Sequence, residues 1–169
     1  MHVHVYMACS VDGYVARPDG DLSFLPLGGD QDFGMGAFLE SIDVLIMGRA
    51  TLETVLSWGQ WPYAGMRVFA ASGSLTESPH PAVTLVSGAP SDILESVGDA
   101  EVVWVDGPET ARRFLAAGLV DTVTVTRVPV LLGDGIPFFG KLTDEVSLTL
   151  RSSTAYPGGV VQDVFRVAR

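Results

Sequence analysis

Short apolar runs alternate with segments of helical spacing along most of the chain. The runs are rich in β-forming residues and end near glycine or polar residues, which predicts strands at His2 to Cys9, Val44 to Met47, Met66 to Ala71, Val83 to Val86 and Val102 to Val105. Between them, apolar positions three or four residues apart predict helices over 32–42, over 49–57, from Pro90, and from Pro108 to about Gly118. Such alternation is typical of a parallel sheet.

The last third of the chain has a different pattern. Val120 to Val128 alternates valine with threonine as a strand does, and Ser147 to Ala155 returns through Val160 to Val167 as a β-hairpin does. The predicted fold class is therefore α/β, with a mainly parallel central sheet, helices on both faces and a C-terminal antiparallel hairpin. We expect the first strand to be central, because its two faces differ little in their need for burial.

The composition narrows the class of protein. The chain has 169 residues, 47% of them hydrophobic, which is enough for one sizeable core and predicts a single domain over 1–169. The net charge of -10 argues against a nucleic-acid or membrane partner, because such proteins normally carry a basic patch. Cys9 is the only cysteine, and the sequence shows no signal peptide or membrane-spanning run, so a cytoplasmic location is the default expectation.

Candidate ligand-binding residues follow the predicted parallel strands. Ligands on such sheets bind beyond the carboxyl ends of the strands, where we expect four segments to converge: Ala8 to Asp12, Gly48 to Thr51, Ala71-Ser72 and Asp106 to Thr110. The turns at Gly48 and Gly107 each lead into a helix whose free N–H groups suit a phosphate. Arg49 adds a guanidinium there, and Thr51 suits the N-cap. The alternatives are that these turns only connect strand to helix and that Arg49 is an ordinary surface residue.

Two further features concern chemistry. Asp12 is the ionisable residue best placed to assist proton transfer, although Asp12-Gly13 suits a plain turn equally well. The loop that follows extends to Gly28-Gly29-Asp30 and is long enough to act as a lid. His2 and His4 share one face of the first strand, but no third ligand accompanies them, so no metal site is predicted.

Six segments, taken in order, resemble a known family. They are SVDGYVA, DVLIMGRATLE, WPYAG, VDGPETARRFLAAGLVD, PVLLGDGIPFFG and GGVVQDVFRV. Each is weak alone, but their order and spacing are similar to those of the dihydrofolate-reductase-like family, which includes the reductase domain of riboflavin biosynthesis. The resemblance covers nearly the whole chain. It implies a dihydrofolate-reductase-like fold, NADPH as cofactor, hydride transfer and a homodimer.

The resemblance also implies roles for particular residues. Ala8 is expected to contact the nicotinamide amide through its backbone, and Ser72 to lie near the adenosine phosphate. Gly48, Arg49 and Thr51 are expected to hold the phosphates. The pyrophosphate is assigned to the turn made by Val105, Asp106, Gly107, Pro108, Glu109 and Thr110. The carboxylate with which true dihydrofolate reductases engage the pterin has no clear match among Asp30, Asp32 and Glu40, which argues against folate as substrate.

The turn at Gly107-Pro108 departs from the family, in which paired glycines are common. Proline keeps a cis peptide accessible, so the Gly107-Pro108 bond is predicted to be cis. The proline also removes an N–H donor, and Glu109 places a negative charge beside the phosphate site. Cofactor affinity is therefore expected to be weak.

Together these features predict an NADPH-dependent reductase of a small heterocyclic compound, pterin-like or riboflavin-precursor-like, or of a carbonyl compound. The alternative is a non-catalytic protein that binds a dinucleotide or small ligand and keeps the fold. The apolar segment Val130 to Phe139 adds to the expectation of a homodimer, because a monomer would expose it unless it folded back over its own sheet.

Overall fold

The computed structural model describes residues 1–26 and 31–168. The strands are β1 His2–Ser10, β2 Tyr14–Ala16, β3 Val44–Gly48, β4 Arg67–Ala71, β5 Val83–Val86, β6 Val102–Asp106, β7 Thr122–Val128, β8 Ile136–Pro137, β9 Leu148–Ala155 and β10 Val161–Val167. The helices are α1 Met35–Glu40, α2 Arg49–Ser57, α3 Pro90–Ser96 and α4 Pro108–Ala116, and none of them is long and apolar enough to cross a membrane. Gly28, Gly29 and Asp30, where the predicted lid ends, lie outside the described residues.

Eight strands form one sheet in the order β5-β4-β3-β6-β1-β7-β10-β9. The strands from β5 to β7 are parallel, whereas β10 runs antiparallel to β7 and β9 runs antiparallel to β10. β1 lies between β6 and β7, and nearly all of its residues are at least partly buried. The predicted α/β fold is confirmed, including its parallel centre, its central first strand and its terminal hairpin.

Helices cover both faces of this sheet and divide the core into two layers. On one face, Val5 of β1 packs with Ile93 of α3 and Phe114 of α4, and all three are fully buried. On the other face, Leu45 of β3 packs with Leu52 of α2, again with no exposed surface. Because consecutive strand residues point to opposite faces, the unbroken apolar run of β3 contributes to both layers.

The first helix is shorter than predicted. Phe33 and Gly34 have positive φ angles of 53° and 80°, which a right-handed helix excludes, and α1 therefore begins only at Met35. Before this bend, the Asp32 carboxylate accepts the backbone N–H of Gly34 at 2.9 Å and of Gly36 at 3.2 Å. The glycines that weaken the helical pattern in the sequence thus remove its first turn.

The apolar segment from Val130 to Phe139 folds back over its own sheet. Within it, β8 pairs antiparallel with β2, and neither of these short strands was predicted. Phe138 is only 2% exposed, while Leu131 remains 72% exposed. The segment is thus buried only in part, and its place at a dimer interface stays a prediction.

Candidate functional site

A cleft of about 890 Å³ runs along the carboxyl ends of five neighbouring strands, β4, β3, β6, β1 and β7. Adjacent strands lie about 4.8 Å apart, so four spacings give the cleft a length of roughly 19 Å. Its lining includes most of the residues predicted to bind the cofactor: Ala8, Gly48, Arg49, Thr51, Ser72, Asp106, Gly107, Pro108, Glu109 and Thr110. The structure thus brings these residues together, and their role in binding stays a prediction.

The middle of the cleft contains one spacing twice, a glycine followed three residues later by a threonine. Gly48 and Thr51 belong to the turn between β3 and α2, and Gly107 and Thr110 to the turn between β6 and α4. Because β3 and β6 are neighbours, the turns face each other. A β-carbon on Gly48 would lie 2.6 Å from the Thr110 hydroxyl oxygen, and one on Gly107 would overlap the Thr51 hydroxyl. Only glycine permits this approach.

These facing turns form what we call the cradle, the space between Gly48, Gly107 and the N-termini of α2 and α4. The first N–H groups of a helix have no partner within it, and the helix dipole is positive there, so both helices favour an anion at this point. No side chain caps either helix, and Gly48, not the predicted Thr51, is the N-cap of α2. The cradle therefore fits the pyrophosphate of a dinucleotide.

The peptide bond between Gly107 and Pro108 is trans, so the predicted cis bond is wrong. Pro108 is the first residue of α4, where its fixed φ suits the helix and its missing N–H leaves no intrahelical bond unmade. The unusual backbone is at Gly107, whose φ of 88° and ψ of 137° are essentially restricted to glycine. Glycine geometry, and not proline isomerism, shapes this turn.

Two carboxylates border the cradle. Burial raises the pKa of Asp106 to about 6, and a hydrogen bond from the Gly107 backbone acts in the opposite direction. Glu109, in the first turn of α4, forms an ion pair with Arg112. Both carboxylates lie where a phosphate is expected, so the prediction of weak cofactor affinity keeps its physical basis.

Arg49 and two serines form a polar cluster at the β4 end of the cleft. Arg49 donates from Nη1 to the Ser74 hydroxyl at 3.1 Å and from Nε to the Glu53 carboxylate at 2.7 Å. The Ser72 hydroxyl accepts the backbone N–H of Ser74 at 3.2 Å. A guanidinium has five N–H donors, so Arg49 retains donors for a ligand. A phosphate placed here would meet a guanidinium and two hydroxyls, which are its usual partners.

On the other side of the cradle, β1 has a free backbone edge. The pairing of β1 with β6 stops at Val5, whereas its pairing with β7 continues to the end of the strand. The Tyr6 carbonyl faces the β6 side, where it accepts the indole N–H of Trp104 at 3.2 Å. Alternate residues of a strand direct their backbone groups to the same side, so Ala8 presents N–H and C=O beyond the end of β6. A carboxamide would find a matching donor and acceptor there.

Two of the predicted residues do not line the cleft. Val105 is fully buried in the sheet. Asp12 lies in the loop after β1, where its carboxylate accepts the backbone N–H of Leu132 at 3.2 Å and of Gly133 at 2.8 Å. Hydrogen bonding, chiefly from the Ser10 hydroxyl, lowers the pKa of Asp12 and keeps it ionised at neutral pH. In this position Asp12 fastens the segment that follows β7, and its role in proton transfer stays a prediction.

The far end of the cleft, beyond β1, contains a neutral hydrogen-bond network. The side-chain amide nitrogen of Gln162 lies 2.7 Å from the Tyr6 hydroxyl, 2.9 Å from the Thr126 hydroxyl and 2.9 Å from the Phe33 carbonyl. The Tyr6 hydroxyl also donates to the Phe33 carbonyl, at 3.0 Å. These bonds hold Phe33 in its positive-φ conformation and set the two hydroxyls against the cleft.

Asp32 supplies the carboxylate of this far end. It lines the cleft, and the backbone N–H groups of Gly34 and Gly36 lower its pKa, so it is ionised at neutral pH. Of the other two acidic residues considered as the substrate carboxylate, Asp30 lies outside the described residues and Glu40 is exposed at the opposite end of α1. The Asp-x-Gly-x-Gly spacing, in which one carboxylate can accept two nearby N–H groups, was the available signal.

Further lining residues were missed by motif reasoning: Tyr6, Phe33, Trp58, Ser74, Arg113 and Thr126. Strand order, and not local sequence, places Tyr6 and Thr126 among them. Thr126 is the register partner of Ala8 in the β1–β7 pair, so it enters the site once those strands are known to be neighbours. Among the described residues, no group of histidine, cysteine or carboxylate side chains is arranged to hold a metal ion.

Comparisons with known proteins place this geometry in a family. The family model of the RibD C-terminal domain matches residues 90–162. The crystal structure of a putative riboflavin biosynthesis protein from Shewanella sp. PV-4 is similar over 100% of both chains, with 35% sequence identity and a TM-score of 0.92. The chain belongs to the dihydrofolate-reductase-like family of riboflavin-biosynthesis reductase-like proteins. The resemblance noted in the sequence is thereby confirmed.

Two more distant structures share the fold of this family. One is a diaminohydroxyphosphoribosylaminopyrimidine deaminase/5-amino-6-(5-phosphoribosylamino)uracil reductase from Thermotoga maritima, with 16% identity and a TM-score of 0.75 over 99% of this chain and 56% of that one. The other is a dihydrofolate reductase from Enterococcus faecalis complexed with NADP(H) and RAB-propyl, with 16% identity and a TM-score of 0.72 over 99% of this chain and 97% of that one. Membership of the family supports a reductase role.

Proposed function

We propose that the protein is an NADPH-dependent reductase that transfers a hydride to a small heterocyclic or carbonyl compound. The observation that carries this proposal is the cradle, in which two facing glycine turns direct two helix N-termini at one point of the cleft. The likeness to the RibD C-terminal domain and to a dihydrofolate reductase complexed with NADP(H) supports the same conclusion.

Following the order of the strand ends, we assign each part of the proposed cofactor to a region of the cleft. The cradle receives the pyrophosphate, with Thr51, Asp106, Pro108, Glu109 and Thr110 around it. Arg49 and Ser72, on the β4 side, receive the extra phosphate of the adenosine ribose. Ala8, on the β1 side, holds the nicotinamide carboxamide through its backbone. When bound there, the reduced nicotinamide supplies a hydride to an acceptor beside it.

The acceptor lies beyond β1, in the part of the cleft that the Tyr6 and Thr126 hydroxyls face. Leu22, Leu25 and Met35 line the cleft and exclude water around the acceptor. A proton must also be delivered, and Asp12 remains the residue that the sequence predicts for it. The Asp12 carboxylate also accepts backbone N–H groups of the segment that leads to Ile136, and in this way helps to fix Ile136 in the lining of the cleft.

Fluorescence titration with NADPH, followed by an oxidation assay with dihydrofolate, pterins, a riboflavin precursor and flavins, tests this function. We expect saturable binding and oxidation by at least one acceptor. Binding without oxidation would favour the alternative, a non-catalytic dinucleotide-binding protein. A Gly107→Ala variant, whose β-carbon would overlap the Thr51 hydroxyl across the cradle, should lose the binding, with circular dichroism to verify that it is folded. Absence of binding by the unaltered protein would refute the proposal.

A homodimer belongs to the same proposal. β9 is an edge strand of the sheet, and all eight of its residues are exposed, including Leu148 at 38% and Leu150 at 54%. An uncovered edge with apolar side chains is a ready surface for pairing. Light scattering at micromolar concentration should give twice the chain mass of 17.9 kDa, and a monomer under those conditions would contradict the proposal.

A further inference from the structure

We propose that the substrate of this reductase is a planar heterocycle that bears N–H donors and carries no phosphate or carboxylate group. The inference rests on the proposed function, since it concerns the acceptor end of the same cleft. It separates this chain from the reductase whose printed substrate carries a phosphoribosylamino group. The argument uses the placement of charge along the cleft.

The strand order shows which end takes the substrate. The cradle lies at β3 and β6, and the Arg49 cluster lies at β4, so both phosphate-binding regions are on one side. β1 and β7 lie on the other side, with the Ala8 backbone between the two regions. We call this other side the acceptor end. It is lined by Leu22, Leu25, Tyr6, Asp32, Met35 and Thr126.

No lysine or arginine lines the acceptor end among the residues that the structure describes. Arg49 and Arg113 are the basic residues in the cleft lining, and both lie on the cofactor side: Arg49 bonds Ser74, and Arg113 donates to the Gly88 carbonyl at 2.7 Å. The sequence of residues 27–30, Leu-Gly-Gly-Asp, contains no basic residue either. A phosphate at the acceptor end would therefore have no cation to bind.

Arg127 and Arg17 are the basic residues next in sequence to lining residues of this end, because Thr126, Val128 and Ala16 line the cleft and the two arginines do not. Arg127 is ion-paired with Asp163 of β10, which leaves Arg17 as the second candidate. Its guanidinium is engaged outside the cleft, where Nε donates to the Asp21 carboxylate at 3.1 Å. A substrate phosphate would have to compete with the Asp21 carboxylate for this guanidinium.

Asp32 gives the acceptor end a negative charge. Because two backbone N–H groups hold this carboxylate in its ionised form, it accepts hydrogen bonds and repels anions. Asp32 is exposed, and a phosphate beside its carboxylate meets like charge and gains no counter-charge. A ring with amino or ring N–H groups instead donates to Asp32 and stacks its faces on apolar side chains. The acceptor end therefore selects against anionic substrates and for N–H donors.

The test uses pairs of compounds that share one heterocycle and differ only in a phosphate: riboflavin with flavin mononucleotide, and a ribitylaminopyrimidine with its phosphate ester. Isothermal calorimetry with and without saturating NADPH measures each affinity. We expect the unphosphorylated member of at least one pair to bind ten or more times more tightly than its partner. Equal or tighter binding of the phosphorylated member, or no binding of any unphosphorylated member, would overturn the proposal.

Variants identify the groups responsible. Asp32→Asn should weaken the unphosphorylated compound by about tenfold or more and narrow the difference within the pair, because the charged acceptor and its repulsion are both lost. Glu40→Gln, at the other end of α1 and outside the cleft lining, is the matched control and should change neither affinity. If Arg17→Gln abolishes tight binding of the phosphorylated member, Arg17 is a phosphate ligand and the proposal is wrong. NADPH titration without a second ligand separates failure of this inference from failure of the proposed function.

Discussion

Adding a methyl group to the glycines of the cradle should destabilise the protein by two separable effects. Gly48 has a φ of -79°, which alanine adopts freely, so Gly48→Ala suffers only the contact with Thr110. Gly107 has a φ of 88°, so Gly107→Ala suffers both a contact with Thr51 and a strained backbone. Gly73 also lines the cleft but has open space around it, which makes Gly73→Ala the matched control.

The structure sets the expected size of each effect. Overpacking in a tight site costs about 1–3 kcal/mol. Replacing glycine by alanine also lowers the conformational entropy of the unfolded chain, which stabilises the folded protein by about 0.4–1 kcal/mol. Gly48→Ala should therefore lower the free energy of unfolding by about 1–2 kcal/mol. A residue forced into a glycine-only region costs about 1–3 kcal/mol more, so Gly107→Ala should lower it by about 2–5 kcal/mol. Gly73→Ala should be neutral or slightly stabilising.

Urea unfolding followed by tryptophan fluorescence measures these values, and double variants separate the two effects. Thr110→Ala removes the hydroxyl that a β-carbon at position 48 would contact. The double variant with Gly48→Ala should therefore lose less free energy of unfolding than the sum of the losses of the two single variants. Thr51→Ala should rescue only the steric part of Gly107→Ala, because the backbone strain remains. If Thr110→Ala gives no rescue, or if Gly107→Ala behaves like Gly73→Ala, the facing-turn arrangement is refuted.

Three more predictions concern single side chains. Arg49→Ala should weaken NADPH by about 1.5–3 kcal/mol and NADH far less, and equal losses in parallel titrations would remove Arg49 from the extra phosphate. The pKa of Asp106 is about 6, and a bound phosphate favours the neutral form of this carboxyl group. As the pH falls from about 7 to 5, the NADPH affinity of the unaltered protein should therefore rise more than that of Asp106→Asn. Identical pH profiles for the two proteins would disprove this. Asp12→Asn should lower the free energy of unfolding, because two backbone N–H groups lose a charged acceptor, and should lower turnover by less than about 100-fold, whereas a larger loss of turnover at unchanged stability would establish catalysis.

Much of the fold follows from local patterns. The bounds of α2 and β5 agree with the sequence expectation, because each is delimited by glycine or polar residues and has a single periodicity. The parallel sheet follows from the alternation of strand and helix. The strands β2 and β8 were missed because they are three and two residues long, and their pairing joins segments about 120 positions apart in the chain.

The sequence predicted the glycine turns of the candidate site but not the residues of the acceptor end. A glycine that ends a strand and precedes a helix is a local signal for a candidate phosphate site, and this signal pointed to Gly48 and Gly107, which line the cleft. The acceptor end has no such signal, because Tyr6, Thr126 and Gln162 meet only after β1, β7 and β10 have paired. Asp12 shows the opposite case, in which a polar residue in a suitable position has its carboxylate bonded to a distant loop.

The distribution of charge bears on how so acidic a chain would hold the proposed anionic cofactor. With a net charge of -10, long-range attraction for a dinucleotide is absent, and the binding must come from groups in contact with the phosphates. The cradle supplies backbone N–H groups, which carry no net charge, and Arg49 supplies a guanidinium at the β4 end. Asp106 and Glu109 oppose these groups at close range, and screening by salt weakens the opposition of the less exposed Asp106 less than that of the exposed Glu109. Binding of the proposed cofactor would therefore depend on the close approach that Gly48 and Gly107 allow, and the shape of the cradle would matter more to affinity than the charge of the protein.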